Sequence, residues 1–204
     1  MTLIKGNVSL TRYKTLDPPP ELTQEFLADR FRQNAFMDID KSPEEESMGW
    51  VEVLNHFSTA FEHHHFHFGD VIILGFRVDV RKVSAKMVDR YLARAEAEAD
   101  AEKPLNKEER RMLKAKIRHD LLIRTPVNTD VYEVCWFPRL EEVWLAASGT
   151  KLRERFEAQW IQTFNFGLGM KMPFILGLDH LPEGATIDTL DQAQPSALFG
   201  GAGN

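Results

Sequence analysis

The chain has 204 residues, 43% hydrophobic and 27% charged, with a formal net charge of −6 and a pI near 5.7. That is enough apolar material to close one core, and the acidity excludes a protein that coats nucleic acid over its whole surface. No run of about 18 apolar residues is present to cross a membrane, the first residues lack the pattern of a secretory signal, and the single Cys135 excludes an intrachain disulfide, so a cytoplasmic protein is expected.

Residues 2–14 alternate imperfectly through Leu3, Val8, Leu10 and Arg12 and predict a strand. Asp17-Pro18-Pro19-Pro20 breaks it, after which Leu22, Phe26, Leu27, Phe31 and Phe36 recur at helical spacing over 21–36. An acidic stretch from Asp38 to Glu46 leads into Ser47-Met48-Gly49-Trp50-Val51. Val71 to Val80 reads as the best strand of the chain, with Arg77 and Asp79 together on its polar side.

Ser84 is placed to cap a helix with Val88, Tyr91, Leu92, Ala95 and Ala99 on one side and Lys82, Lys86, Arg90 and Arg94 at four-residue steps on another. Pro104 interrupts it. Asn106 and Glu109 have capping-box spacing for a second helix to about Leu122, with Leu113, Ile117 and Leu121 as its apolar stripe. At about 100° per residue, Lys107, Arg111, Lys114 and Arg118 of that helix fall on one face and form a basic rail. Residues 130–137 and 140–147 predict two strands joined at Pro138-Arg139, and 150–164 a helix that buries Leu152, Phe156, Trp160 and Ile161. This order favours an α+β fold, an antiparallel sheet covered by helices, with the two-helix segment 82–124 projecting as a charged lobe. One domain over 1–180 and a loose tail over 181–204 are expected.

The lobe is the basic part of an acidic molecule: residues 77–124 hold 14 Lys or Arg against 9 Asp or Glu. Ser47-Met48-Gly49-Trp50-Val51, the strand ending at Arg77 to Lys82, the charged helices with Asn106-Lys107-Glu108-Glu109 and Lys114, and Leu121-Leu122-Ile123-Arg124 together resemble the bacterial recombination-associated RdgC family over roughly residues 1–175. The resemblance implies a nucleoid-associated protein that binds double-stranded DNA with little sequence preference. It also implies a ring-like dimer and a recombinase as target; some members carry an exonuclease label. By position it nominates Lys107, Arg110, Arg111, Lys114 and Arg118 as phosphate contacts, together with Arg124 at the arginine of the family's Leu-Leu-Pro-Arg-Ala-Phe motif. Ile123 stands here for the proline and Thr125-Pro126 for Ala-Phe. Lys86 and Arg90 extend the candidate surface onto the first helix.

Each cation set against a phosphate releases counterions, which gives salt-sensitive, sequence-blind binding. The competing reading is a solvated face laced with ion pairs to Glu96, Glu98, Asp100, Glu102, Glu108 and Glu109, in a protein-interaction module. Glu62-His63-His64-His65-Phe66-His67 offers a second chemistry: if extended, His63, His65 and His67 face one way and could hold a transition metal beside Glu62 or Asp70. A metal-dependent exonuclease would need converging carboxylates, for which Asp38, Asp40 and Asp79 are the candidates without a recognisable nuclease motif. No catalytic motif is found, so a non-enzymatic protein without cofactor is expected. Cys135 is expected in the core, the glycines after Phe164 should end a helix, and Trp50 is the tryptophan expected at the surface as an interface anchor.

Overall fold

A computed structural model of the chain describes residues 9–16, 22–98, 105–172, 176–177, 180–181 and 186–188. The elements are β1 (Thr11–Thr15), α1 (Gln24–Gln33), β2 (Glu46–Val51), α2 (His63–Phe66), β3 (His67–Phe68), β4 (Val71–Val80), α3 (Ala85–Glu98), α4 (Lys107–Arg124), β5 (Asn128–Phe137), β6 (Glu142–Leu145), α5 (Thr150–Phe164) and β7 (Leu168–Met170). The fold is α+β, as expected. Its sheet runs β2-β4-β5-β6-β1-β7, with β3 also on β4, and every pairing is antiparallel. Most of the expected tail, the start of the first expected strand and Pro104 lie outside the described residues. Among the described residues no helix is long and apolar enough to cross a membrane.

One face of the sheet, with Tyr13, Ile72, Leu74, Phe76, Val134, Trp136, Val143 and Leu145, packs on α1 and α5. α1 starts where Thr23 accepts from the Phe26 N–H at 3.1 Å, and it buries Leu27, Ala28 and Phe31. α5 buries Phe156, Gln159, Trp160, Thr163 and Phe164, a stripe at three- and four-residue steps. Ile161, expected inside, is 50% exposed because it lies about 100° from Trp160 on the wheel. The two buried polar groups have partners: the Gln159 amide donates to Asn34 O at 3.1 Å, and the Thr163 hydroxyl donates to Gln159 O at 2.7 Å. Asn165 then takes a left-handed conformation (φ 64°) and donates its N–H to Ile161 O at 2.8 Å, so α5 stops before the glycines and the chain returns as β7.

Trp50 is at the centre of this core, not at its surface. It is fully buried, donates its indole N–H to the Thr163 hydroxyl at 2.7 Å, and meets Trp160 edge-on at 6.4 Å. Gly49 beside it lets the backbone of 34–36 lie against β2: Phe36 N–H donates to Trp50 O at 2.9 Å, and Trp50 N–H to Asn34 O at 3.2 Å. Cys135 is buried as expected, and burial, with Glu133 nearby, raises its thiol to about 11.

Glu142 ties the far side of the sheet together. It accepts from Arg12 at 2.9 and 3.0 Å and from the Trp144 indole at 2.8 Å, and it pairs with Lys171. Burial alone would push this carboxyl up, but hydrogen bonds from Lys171, Trp144 and Arg12 outweigh it and leave it lowered to about 2. The folded value is below the unfolded one of about 4.3, so the contribution is complete above that pH and is lost as pH falls toward 2. Glu142→Gln is therefore expected to cost about 1–3 kcal/mol at pH 7, shrinking on acidification through that window. Urea titrations at several pH values check this, and a deficit that stays constant with pH would contradict it.

Candidate nucleic-acid interface

The lobe is built from its caps outward. The Ser84 hydroxyl accepts from Met87 N–H at 3.2 Å at the start of α3. At the start of α4, Asn106 Oδ1 accepts from the N–H groups of Glu108 and Glu109, each at 2.9 Å, while Glu109 Oε2 accepts from Asn106 N–H at 2.9 Å. Val88 and Leu92 are the buried residues of α3, and Leu121 and Leu122 those of α4.

The buried leucines fix how α4 is rolled. Arg118 lies three residues before Leu121 and four before Leu122, and Lys114, Arg111 and Lys107 continue that line up the helix. The basic rail is thus on the side that α4 turns toward α3, while Leu113 and Ile117 of the expected apolar stripe are only half-buried. Val83, Ala85 and Val88 line a groove with Arg111, Lys114, Ala115 and Arg118, and Asp89 and Leu92 line a neighbouring one with Lys107, Arg110, Arg111 and Lys114.

Three of these cations meet carboxylates: Arg110 with Glu96 at 2.6 Å, Lys114 with Asp89 at 2.7 Å, and Arg118 with Glu45. Such pairs at the surface are worth about 1 kcal/mol or less, so they leave the cations open to exchange for phosphate. Lys107, Arg111, Arg124, Lys86 and Arg90 are exposed and have no ion pair among the described residues. They do not share one face. Lys107 and Arg111 belong to the rail, Arg124 ends α4 about 100° away from it, and Lys86 and Arg90 project from the opposite side of α3, where they line a groove with Met87, Tyr91 and Arg94. Arg94 there pairs with Glu98 at 2.8 Å.

Arg77 and Arg81, although within the basic segment, belong to the body. Arg77 and Asp79 share a strand face as the alternation dictates, but that face is covered, and the two form a bidentate pair at 2.7 and 2.8 Å. Phe36 covers the Arg77 guanidinium at 4.1 Å. Arg81, 3% exposed, donates to Glu44 O at 2.8 Å and Ile39 O at 2.6 Å, and so folds the acidic loop that delivers Glu45 to Arg118. Of the carboxylates considered for hydrolysis, Asp79 is 1% exposed and committed to Arg77, and Asp38 caps a turn by accepting from Asp40 N–H at 2.8 Å.

The histidine run is not extended. His63–Phe66 is a helical turn and the strand begins at His67, so His63, His65 and His67 do not alternate along one strand face. The turn instead brings together Glu62, His64 and His65, whose ligand atoms lie within 4.8 Å of one another. Sequence reasoning missed Glu52, a buried carboxylate whose Oε1 is 2.9 Å from His65 Nδ1; its only local signal was an acidic residue ending an apolar strand.

A family model described as "Putative exonuclease, RdgC" matches residues 9–166. No curated protein matches the chain.

Proposed function

The chain belongs to the RdgC family, and from that membership we propose that it binds duplex DNA without sequence preference through the α3–α4 lobe, as a nucleoid protein associated with recombination. The observation that carries this reading is the concentration of exposed cations without ion pairs among the described residues, Lys82, Lys86, Arg90, Lys107, Arg111, Lys116 and Arg124, on a hairpin that departs from an acidic body. Nothing among the described residues of the lobe offers a side-chain pattern for reading base edges, so contacts to phosphate should dominate. The family resemblance adds a homodimer or higher oligomer and a recombinase as partners of the same reading. The exonuclease description gains no support from Asp38, Asp40 and Asp79, and duplex incubated with the protein and Mg²⁺ or Mn²⁺ is expected to stay intact.

The test is a titration of unrelated duplexes across salt. The cations of any one face supply about two or three phosphate contacts, a slope of log K against log salt of about −2 to −3, so affinity should fall about 10- to 50-fold between about 50 and 200 mM salt and should not depend on sequence. A flat salt response, or no binding at the lowest salt, would overturn the proposal. The second outcome would favour a protein-interaction module, the reading to which the Glu96, Asp89 and Glu45 pairs lend support.

A further inference from the structure

We propose that Glu62, His64 and His65 form a binding site for a divalent transition metal of the zinc class, with Glu52 as the buried carboxylate that orients His65. This site is separate from the lobe. One ligand atom from each of Glu62, His64 and His65 lies within 4.8 Å of the other two, and His64 Nε2 is 3.8 Å from Glu62 Oε2. Tetrahedral zinc with bonds of about 2.0–2.1 Å needs donors about 3.4 Å apart, so the exposed Glu62 and His64 have only a small movement to make. Two imidazoles and one carboxylate are a borderline donor set that suits zinc over magnesium or calcium, and they leave one position for water.

The support behind the ligands distinguishes this cluster from a chance group of surface histidines. Glu52 is 3% exposed at the end of the β2 ladder, and its Oε1 accepts the Phe61 N–H at 2.9 Å while lying 2.9 Å from His65 Nδ1. With Nδ1–H donating to that carboxylate, His65 is held in the tautomer whose Nε2 lone pair is free for a metal. Phe61 and Phe66, both fully buried, fix the two ends of the ligand-bearing turn, so the three ligands start from a rigid base. A metal there would join Glu62, His64 and His65 directly and, through Glu52, lock the turn to the sheet.

Zinc added to the metal-free protein is measured by competition with a chromogenic chelator, with thermal unfolding as an independent readout. One zinc per chain is expected, with a rise in melting temperature. The double variant His64→Ala/His65→Ala should lose at least about 100-fold in affinity, and Glu52→Gln should lose about 10–100-fold through the lost orientation of His65. His67→Ala, outside the trio, should bind as the parent chain does. Circular dichroism and metal-free melting establish that each variant is folded; His64→Ala alone, at an exposed position, serves if a buried change disturbs folding. The proposal is overturned if the parent chain binds zinc no better than folded His64→Ala or the double variant. It is equally overturned if His67→Ala abolishes binding.

Discussion

Gly49→Ala is expected to destabilise the protein by about 3 kcal/mol or more, at the upper end of what single substitutions cost. An added Cβ would stand 2.5 Å from Phe36 N, 2.6 Å from Phe36 Cα and 2.7 Å from Ala35 C. These are backbone atoms, which cannot rotate away as a side chain would. The segment would have to leave β2, losing the Phe36–Trp50 and Trp50–Asn34 backbone hydrogen bonds and opening the edge over Trp50. Phe36 would also withdraw from the Arg77 guanidinium, exposing one face of a buried ion pair. Two other glycines bracket the effect. Gly75→Ala meets the Val51 and Val131 side chains at 2.7 and 3.1 Å and should cost less, because methyl groups can shift. Gly149→Ala faces open space at the N-cap of α5 and should cost about 1 kcal/mol or less, the loss of a favoured cap residue. Urea unfolding of the three variants gives the order, and a Gly49→Ala protein as stable as its parent would refute this account of the Met-Gly-Trp-Val segment.

Reversing the charge of Lys86, Arg90, Lys107 and Arg111 together to glutamate is expected to weaken duplex binding by at least about 100-fold and to flatten the salt slope toward zero. Whichever side of the lobe meets the duplex then loses its counterion-releasing contacts and repels phosphate instead. Stability should change little, since all four side chains are exposed and have no ion pair among the described residues. That separation makes these four better targets than Arg110, Lys114 and Arg118, whose reversal would set carboxylate against carboxylate at Glu96, Asp89 and Glu45 and loosen the hairpin itself. The paired cations are addressed from the other side: Asp89→Asn with Glu96→Gln frees Lys114 and Arg110 and should tighten binding several-fold. Gel-shift or anisotropy titrations at fixed salt decide both. A fourfold reversal that binds as tightly as the parent would remove the lobe from the binding surface.

Local pattern and tertiary environment contributed differently to this reading. The bounds of β4 and α5 could be read directly from the sequence, because alternation over Val71–Val80 and the three- and four-residue spacing over Thr150–Phe164 are properties of neighbouring residues. The Asn106–Glu109 capping box is equally local. β6 came out shorter than expected, since Pro138–Leu140 turns as a 3-10 helix and Glu141 takes a left-handed conformation (φ 53°) before the strand can begin.

By itself, then, the sequence determined the order of the elements, the concentration of positive charge between Arg77 and Arg124, and the pattern that resembles one family. Periodicity states which residues share a face, but not what comes to cover that face. Only the tertiary structure decided that Trp50 lies against Thr163 and Trp160, that Arg77 and Asp79 are sealed beneath Phe36, and that the rail of α4 turns toward α3. It likewise decided that Glu52, ten residues from Glu62, reaches His65. Each of these depends on a partner distant in sequence, and burial is set by that partner's arrival, not by the residue's own neighbours.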